Sequence, residues 1–150
     1  MLILDTDHLT VIQRATGPAY AALRRRLQQA GRRESCTTIV SFEEQMRGWL
    51  TVLARSRDIQ QEVAAYRRLH ALLMFFDDIA VLDFDTPAAD LFSQLRRARV
   101  RIGSMDLKIA AIALSHGAML LSRNLTDFRQ VPGLHVEDWT QPDPEHPQHP

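Results

Sequence analysis

The stretch IGSMDLKIAAIALSHGAMLLSRNLTDF, residues 102–128, decides the fold. Its first half, residues 105–116, is a nearly all-apolar helical run. Ser104 is placed to cap it and Gly117 to end it. A helix that is apolar almost all round is buried. Residues 118–121 follow at once and read as a short buried strand. The two charges of the helix are Asp106 and Lys108. An aspartate in a first turn is stabilised by the helix dipole whatever its job. Lys108, two residues on, points to a different face and does not neutralise it. An acid left on a buried helix calls for a partner from elsewhere, such as a cation. After the strand come Ser122, Asn124 and Asp127 in a loop-like segment, where Asn and Asp are also common for ordinary turn reasons.

The same alternation extends through the chain. Residues 2–4 form an apolar strand ended by Asp5. Thr6 or Asp7 can cap a short helix over residues 8–14, and Gly17-Pro18 breaks the chain. Residues 19–30 are rich in helix formers, with Gly31 as the stop. Residues 35–40 read as a second strand. Ser41 can cap the next helix, with Phe42, Met46, Trp49 and Leu53 on one stripe. Residues 59–76 form a long amphipathic helix whose stripe is Ile59, Val63, Tyr66, Leu69, Leu73 and Phe76. Residues 79–82 and 134–136 are further strands. Between them, Thr86-Pro87 opens a helix that reaches about Arg99. Strands alternating with helices argue for an α/β fold of three layers, α/β/α, around a parallel sheet of four to five short strands. One domain covers residues 1–139. Residues 140–150, which end QPDPEHPQHP, are a Pro/His-rich tail expected to be disordered.

In parallel sheets, ligands bind beyond the carboxyl ends of the strands. Asp5 follows the first strand, Glu44 lies a turn past the second, and Asp127 follows the fourth. Asp106 opens the helix leading into that fourth strand. Each acid also has an ordinary explanation. Asp5 fits a turn or helix cap, and Ser41-x-x-Glu44 fits a capping box. Glu43 competes with Glu44, but Glu44 shares a face with Gly48, which leaves space above it. If the fold gathers the four acids, a divalent cation removes their repulsion. Ser122 and Asn124 are placed to orient a water or phosphate.

The chain has 150 residues, 45% of them hydrophobic, and no formal net charge. That fits one domain with a real core and no overall polyanion-binding charge. The charge is uneven, however. Residues 14–68 hold eleven arginines against five acids, while residues 69–150 hold seven bases against eleven acids. A basic half can face nucleic acid while acids hold a metal. Cys36 is the only cysteine, so there is no intrachain disulfide. It fits a small buried hydrophobe, compatible with a cytoplasmic setting. The histidines show no zinc spacing. No apolar run approaches the roughly 20 residues a membrane span needs.

With these residues in place, the chain resembles a PIN-domain ribonuclease of the VapC toxin type, over about residues 1–139. LILDTDHLT is similar to that family's strand followed by Asp. FEEQMRG is similar to its second segment, in which a glutamate precedes a glycine by four positions, and this selects Glu44. The segment 102–128 is similar to its longest motif, with its acids at Asp106 and Asp127 and its Asn at Asn124. VPGLHVEDW resembles its closing segment. There are two departures: Ser122 stands where threonine is common, and Phe42-Glu43 replaces a small-apolar pair. The resemblance implies a PIN-like fold and an endoribonuclease dependent on Mg²⁺ or Mn²⁺. Asp5, Glu44, Asp106 and Asp127 would be its catalytic metal ligands. It also implies an RNA substrate, a cognate VapB-type antitoxin and a homodimer. Arginines of the basic half would hold the RNA backbone. The helices between Trp49 and Phe76 resemble the family's dimer and antitoxin surface.

Two other readings compete. LDTDHLT is similar to the Asp-x-Asp start of haloacid-dehalogenase-like phosphatases, with Asp5 as nucleophile and Asp7 as acid/base. Against it, His8-Leu9 follows the second Asp and Lys108 is the only lysine. The third reading is a non-catalytic binding module whose acids merely cap helices.

Overall fold

Leu2, Ile3 and Leu4 are all buried, so this strand must lie at the centre of a sheet covered on both faces. The computed structural model describes residues 1–31 and 35–142. Five strands, β1 (Leu2–Leu4), β2 (Ser35–Thr38), β3 (Ala80–Leu82), β4 (Met119–Leu121) and β5 (His135–Glu137), make one sheet. Its order is β3-β2-β1-β4-β5 and every neighbouring pair is parallel. The helices are α1 (Thr6–Arg14), α2 (Gly17–Ala30), α3 (Ile39–Ala54), α4 (Ile59–Asp77), α5 (Thr86–Arg97), α6 (Ser104–Ser115) and the single turn α7 (Leu125–Phe128).

The pleat sorts the core into two halves. Ile3 and Leu120 point to one face, where α5, α6 and Phe128 cover them. Leu2, Leu4 and Leu121 point to the other, against Leu9, Leu23, Leu72, Phe76 and Trp139. The result is the expected three-layer α/β/α arrangement. The chain runs outward from β1 to β2 to β3, then returns to the other side of β1 as β4. The direction of winding therefore reverses between β1 and β4, which is where such sheets open a crevice at their carboxyl ends.

Several boundaries differ from the sequence reading. The expected strand 35–40 stops at Thr38, and α3 starts at Ile39, so Ser41 is not the cap. Thr38 caps the helix: its buried hydroxyl oxygen accepts from the Ser41 N–H at 3.1 Å. Ile39 and Val40 are β-branched and look like strand, but Val40 fills the core from the first helical turn. Gly17-Pro18 does not break the chain. Pro18 lies in the first turn of α2, where its missing N–H costs nothing. Ser104 is inside α6, and Gly103 is its uncapped N-terminal flank. Asp5, not Thr6 or Asp7, caps α1. The apolar stripe of α4 is not all core: Phe76 is buried, but Ile59, Val63, Tyr66 and Leu73 are 39–64% exposed. Thr140 is buried and packed on the domain. Residues 143–150 of the expected tail lie outside the described residues. Cys36 is free and buried, and its thiol donates to the Leu2 carbonyl at 3.3 Å. No helix among the described residues is long and apolar enough to cross a membrane.

Thr38→Ala is expected to lower unfolding free energy by about 1–2 kcal/mol, and Ser104→Ala to change it by less than about 0.5 kcal/mol. Urea denaturation of both variants measures the contrast.

Candidate metal centre

The crevice between β1 and β4 is lined with acid. Asp5 ends β1: its N–H still donates to the Leu121 carbonyl at 3.0 Å, so its backbone belongs to the sheet. Its side chain, 6% exposed, turns into the crevice. One oxygen, Oδ1, accepts from the Thr6 N–H at 2.7 Å, and Oδ2 accepts from the Ser122 hydroxyl at 2.7 Å. Asp5 is therefore a helix cap and a site residue at once. Ser122 follows β4 and is fully buried. Its hydroxyl reaches across the point where the winding reverses, and its single proton goes to Asp5 rather than to Asp7 Oδ2 at 3.3 Å. The Asn124 N–H donates to the same hydroxyl oxygen at 3.1 Å.

The other acids come from three further elements. Glu44, on α3, accepts from the Thr6 hydroxyl at 2.6 Å. The capping box expected at Ser41 does not form, and Glu44 is turned toward α1 instead. Glu43 pairs with Arg47 on the outer surface of α3. Gly48 is not forced by packing, since a Cβ there would meet nothing within 4 Å. Asp106 lies in the first turn of α6 and Asp127 in α7. The Asn124 side-chain amide joins them, donating to Asp106 Oδ2 at 3.2 Å and to Asp127 Oδ2 at 3.0 Å.

Electrostatics shows how crowded the acids are. Burial, the nearby Asp7 and Asp106 together push the Asp5 carboxyl up to about 7, with the Ser122 and Thr6 donors only partly offsetting them. The Asp106 carboxyl is also raised, first by burial and then by Glu44 and Asp127. Among the described residues, no lysine, arginine or histidine forms an ion pair with Asp5, Glu44, Asp106 or Asp127. Such a set of unneutralised oxygens has the chemistry that hard divalent cations prefer. The donor types fit Mg²⁺ or Mn²⁺. Among the described residues, no three acidic, imidazole or thiol side chains stand as a ready-made cage. The Asn124 amide sits between two of the four acids, so holding an ion requires those side chains to turn.

Asp7 behaves differently. Burial alone would raise its carboxyl, but His8 and the Arg123 N–H outweigh it and hold it below the ordinary value. It accepts from His8 Nδ1 at 2.7 Å and from the Arg123 N–H at 2.9 Å. An acid held ionised in this way is poorly suited to donate a proton, as the phosphatase reading requires. Lys108, the partner that reading needs, lies over the Phe84 ring at 5.7 Å. His8 is fully buried, and its Nε2 accepts from the Trp139 N–H at 3.2 Å. Nδ1 therefore carries the proton toward Asp7. Sequence reasoning missed the parts played by Thr6, Asp7 and His8. Asp7 was weighed only as the acid/base of the Asp-x-Asp reading, and the one signal for its anchoring role was a run of polar residues after a buried strand.

A model of the PIN domain matches residues 2–134. The chain belongs to the PIN domain family. Among the relatives of this PIN domain, the tRNA(fMet)-specific endonuclease VapC of Salmonella typhimurium is 32% identical over 94 residues, 60% of this chain and 71% of that protein. DNA-bound VapBC from Salmonella typhimurium superposes with a TM-score of 0.72 at 27% identity, covering 92% of this chain and 97% of that one. VapBC-1 from nontypeable Haemophilus influenzae also gives 0.72, at 20% identity and 93% and 98% coverage, a likeness of fold.

The raised Asp5 carboxyl sets a pH dependence. Its folded value of about 7 exceeds the ordinary 3.8, so the folded PIN domain binds this proton more tightly than the unfolded chain. Stability without added divalent cation should therefore fall as pH rises from about 4 to 7 and then level off. Asp5→Asn keeps the cap acceptor and is expected to melt higher than the parent at pH 8, with the gap closing near pH 4. Millimolar Mn²⁺ should raise the parent's Tm and leave the variant nearly unmoved. Thermal melts across pH, with and without the cation, measure both effects.

Proposed function

We propose that this PIN domain is a metal-dependent endoribonuclease toxin of the VapC type, held in check by a VapB-type antitoxin. The observation that carries the reading is the convergence of Asp5, Glu44, Asp106 and Asp127 from four elements, with no paired cation among the described residues. The same acids on a binding module would only cap helices. Here Glu44 and Asp127 cap none, and the second oxygen of Asp5 accepts from the Ser122 hydroxyl rather than from a helix N–H.

Asp5, Glu44 and Asp106, with Asp127, would hold Mg²⁺ or Mn²⁺. Such an ion, when bound, supplies an activated water and offsets charge building on the phosphate. The chain's own residues prepare the site. Thr6 fixes Glu44, Ser122 fixes Asp5, and Asn124 ties Asp106 to Asp127. Asp7, anchored by His8, holds the Arg123 N–H and so the start of the loop that carries Asn124. The substrate is RNA, acted on in the cytoplasm. The Salmonella relative is named for tRNA(fMet), which makes initiator tRNA the first substrate to try. The exposed apolar face of α4, with Val63, Tyr66, Leu73 and Met74, supports the expectation of a homodimer and of antitoxin docking.

Purified protein, freed of antitoxin, is expected to cleave RNA with Mn²⁺ or Mg²⁺ and to stop with EDTA. Asp106→Asn should abolish both cleavage and growth arrest without lowering its melting temperature. Ser122→Ala keeps all four acids and should lose about 10–100-fold in rate. Gel analysis of the RNA products together with thermal melts decides the matter: cleavage that survives EDTA, or an Asp106→Asn variant that merely fails to fold, defeats the proposal.

A further inference from the structure

The loop between α5 and α6 has an unusual build. α5 closes with the Arg99 N–H on the Arg96 carbonyl at 3.0 Å and the Val100 N–H on the Leu95 carbonyl at 3.2 Å. This paired closure wants a left-handed residue after the helix, and glycine fills that place most often. Here it is Arg99, with φ of +59°. An L-residue is strained there, and such strain persists where something else selects the side chain.

The surroundings indicate what that is. Arg96, Arg97, Arg99 and Arg101 fall within six positions and are all exposed. None forms an ion pair among the described residues, whereas Arg26 and Arg47 do. Arg96, Arg99 and Arg101 line a cavity of about 440 Å³ together with Phe92, Ser104 and Leu107. Arg96 lies over the Phe92 ring at 5.6 Å, which leaves Arg99 and Arg101 free to meet a ligand. Ser104 and Leu107 belong to the first turn of α6, the turn that also carries Asp106 on a neighbouring face. Unpaired guanidiniums around a cavity, beside an acid that itself repels anions, match a flexible polyanion whose next phosphates need neutralising.

We propose that the Arg99–Arg101 loop is a subsite for the RNA backbone next to the scissile phosphate, with Arg99 and Arg101 as its phosphate-contacting residues. The subsite rests on the ribonuclease reading above. It lies in the acidic half of the sequence, away from the arginine-rich residues 14–68 first expected to carry this role.

The strain at Arg99 makes the test selective. Arg99→Gly relieves the backbone, so it should melt higher than the parent by roughly 2–5 °C and yet bind RNA less well. Arg99→Gly/Arg101→Gln should raise the KM for initiator tRNA on the order of tenfold at physiological salt, with kcat held. The dependence of log affinity on log salt should become shallower by about 1–2. Cleavage by the parent with unchanged KM and salt slope in the double variant overturns the subsite alone. A double variant that loses kcat and melting temperature together also overturns it. A parent that neither cleaves nor binds RNA with Mn²⁺ present defeats the ribonuclease reading and the subsite with it.

Discussion

Carboxylates forced together in a poorly solvated crevice repel one another, and this PIN domain is arranged around that repulsion. Asp5 cannot leave the crevice, because its N–H belongs to the sheet and its side chain caps α1. Asp106 is fixed by a helix whose remaining turns are core. The fold therefore pins two acids near each other by elements that could not move without exposing apolar surface. The cost appears as proton affinity: both carboxyls hold protons more tightly than usual. Any ligand that neutralised the crowded acids would relieve this repulsion and stabilise the fold by mass action.

Around the acids lies a shell of small donors. Thr6, Ser122 and Asn124 each satisfy carboxylate oxygens without bringing in a positive charge. An arginine or lysine in their place would neutralise the acids and compete with a metal. Neutral donors orient the acids without cancelling their charge. Behind them, the Trp139 backbone, His8, Asp7 and Arg123 form a hydrogen-bonded chain from the C-terminal segment to the loop that carries Asn124. Residues at the far end of the sequence thus help to set the geometry of acids near its start.

Two other surfaces are separate from this centre in character. α4 carries large exposed apolar side chains, of the kind that mark sites of protein association. The loop from Arg96 to Arg101 carries unpaired positive charge beside Asp106. The acids come from four elements, the apolar face from α4, and the basic charge from the end of α5 and the loop after it.

The sequence by itself determined the layering and singled out four acids as candidates. Buried strands such as Leu2–Leu4 and the all-apolar α6 carry their placement in local composition, because an element that is apolar on every side has only one kind of environment open to it. Glu44 was reached through its spacing to Gly48, yet packing does not require that glycine. Tertiary structure alone decided which acid belongs to the site and which to the surface, sending Glu44 to Thr6 and Glu43 to Arg47. It alone moved the α3 cap from Ser41 to Thr38, since that choice depends on where Val40 is buried. The stripe of α4 was legible only as apolar, because periodicity reports that a face is apolar and not what covers it. The His8–Trp139 and Asp7–Arg123 links were hidden because they join residues through space, and local sequence carries no record of distance across a fold.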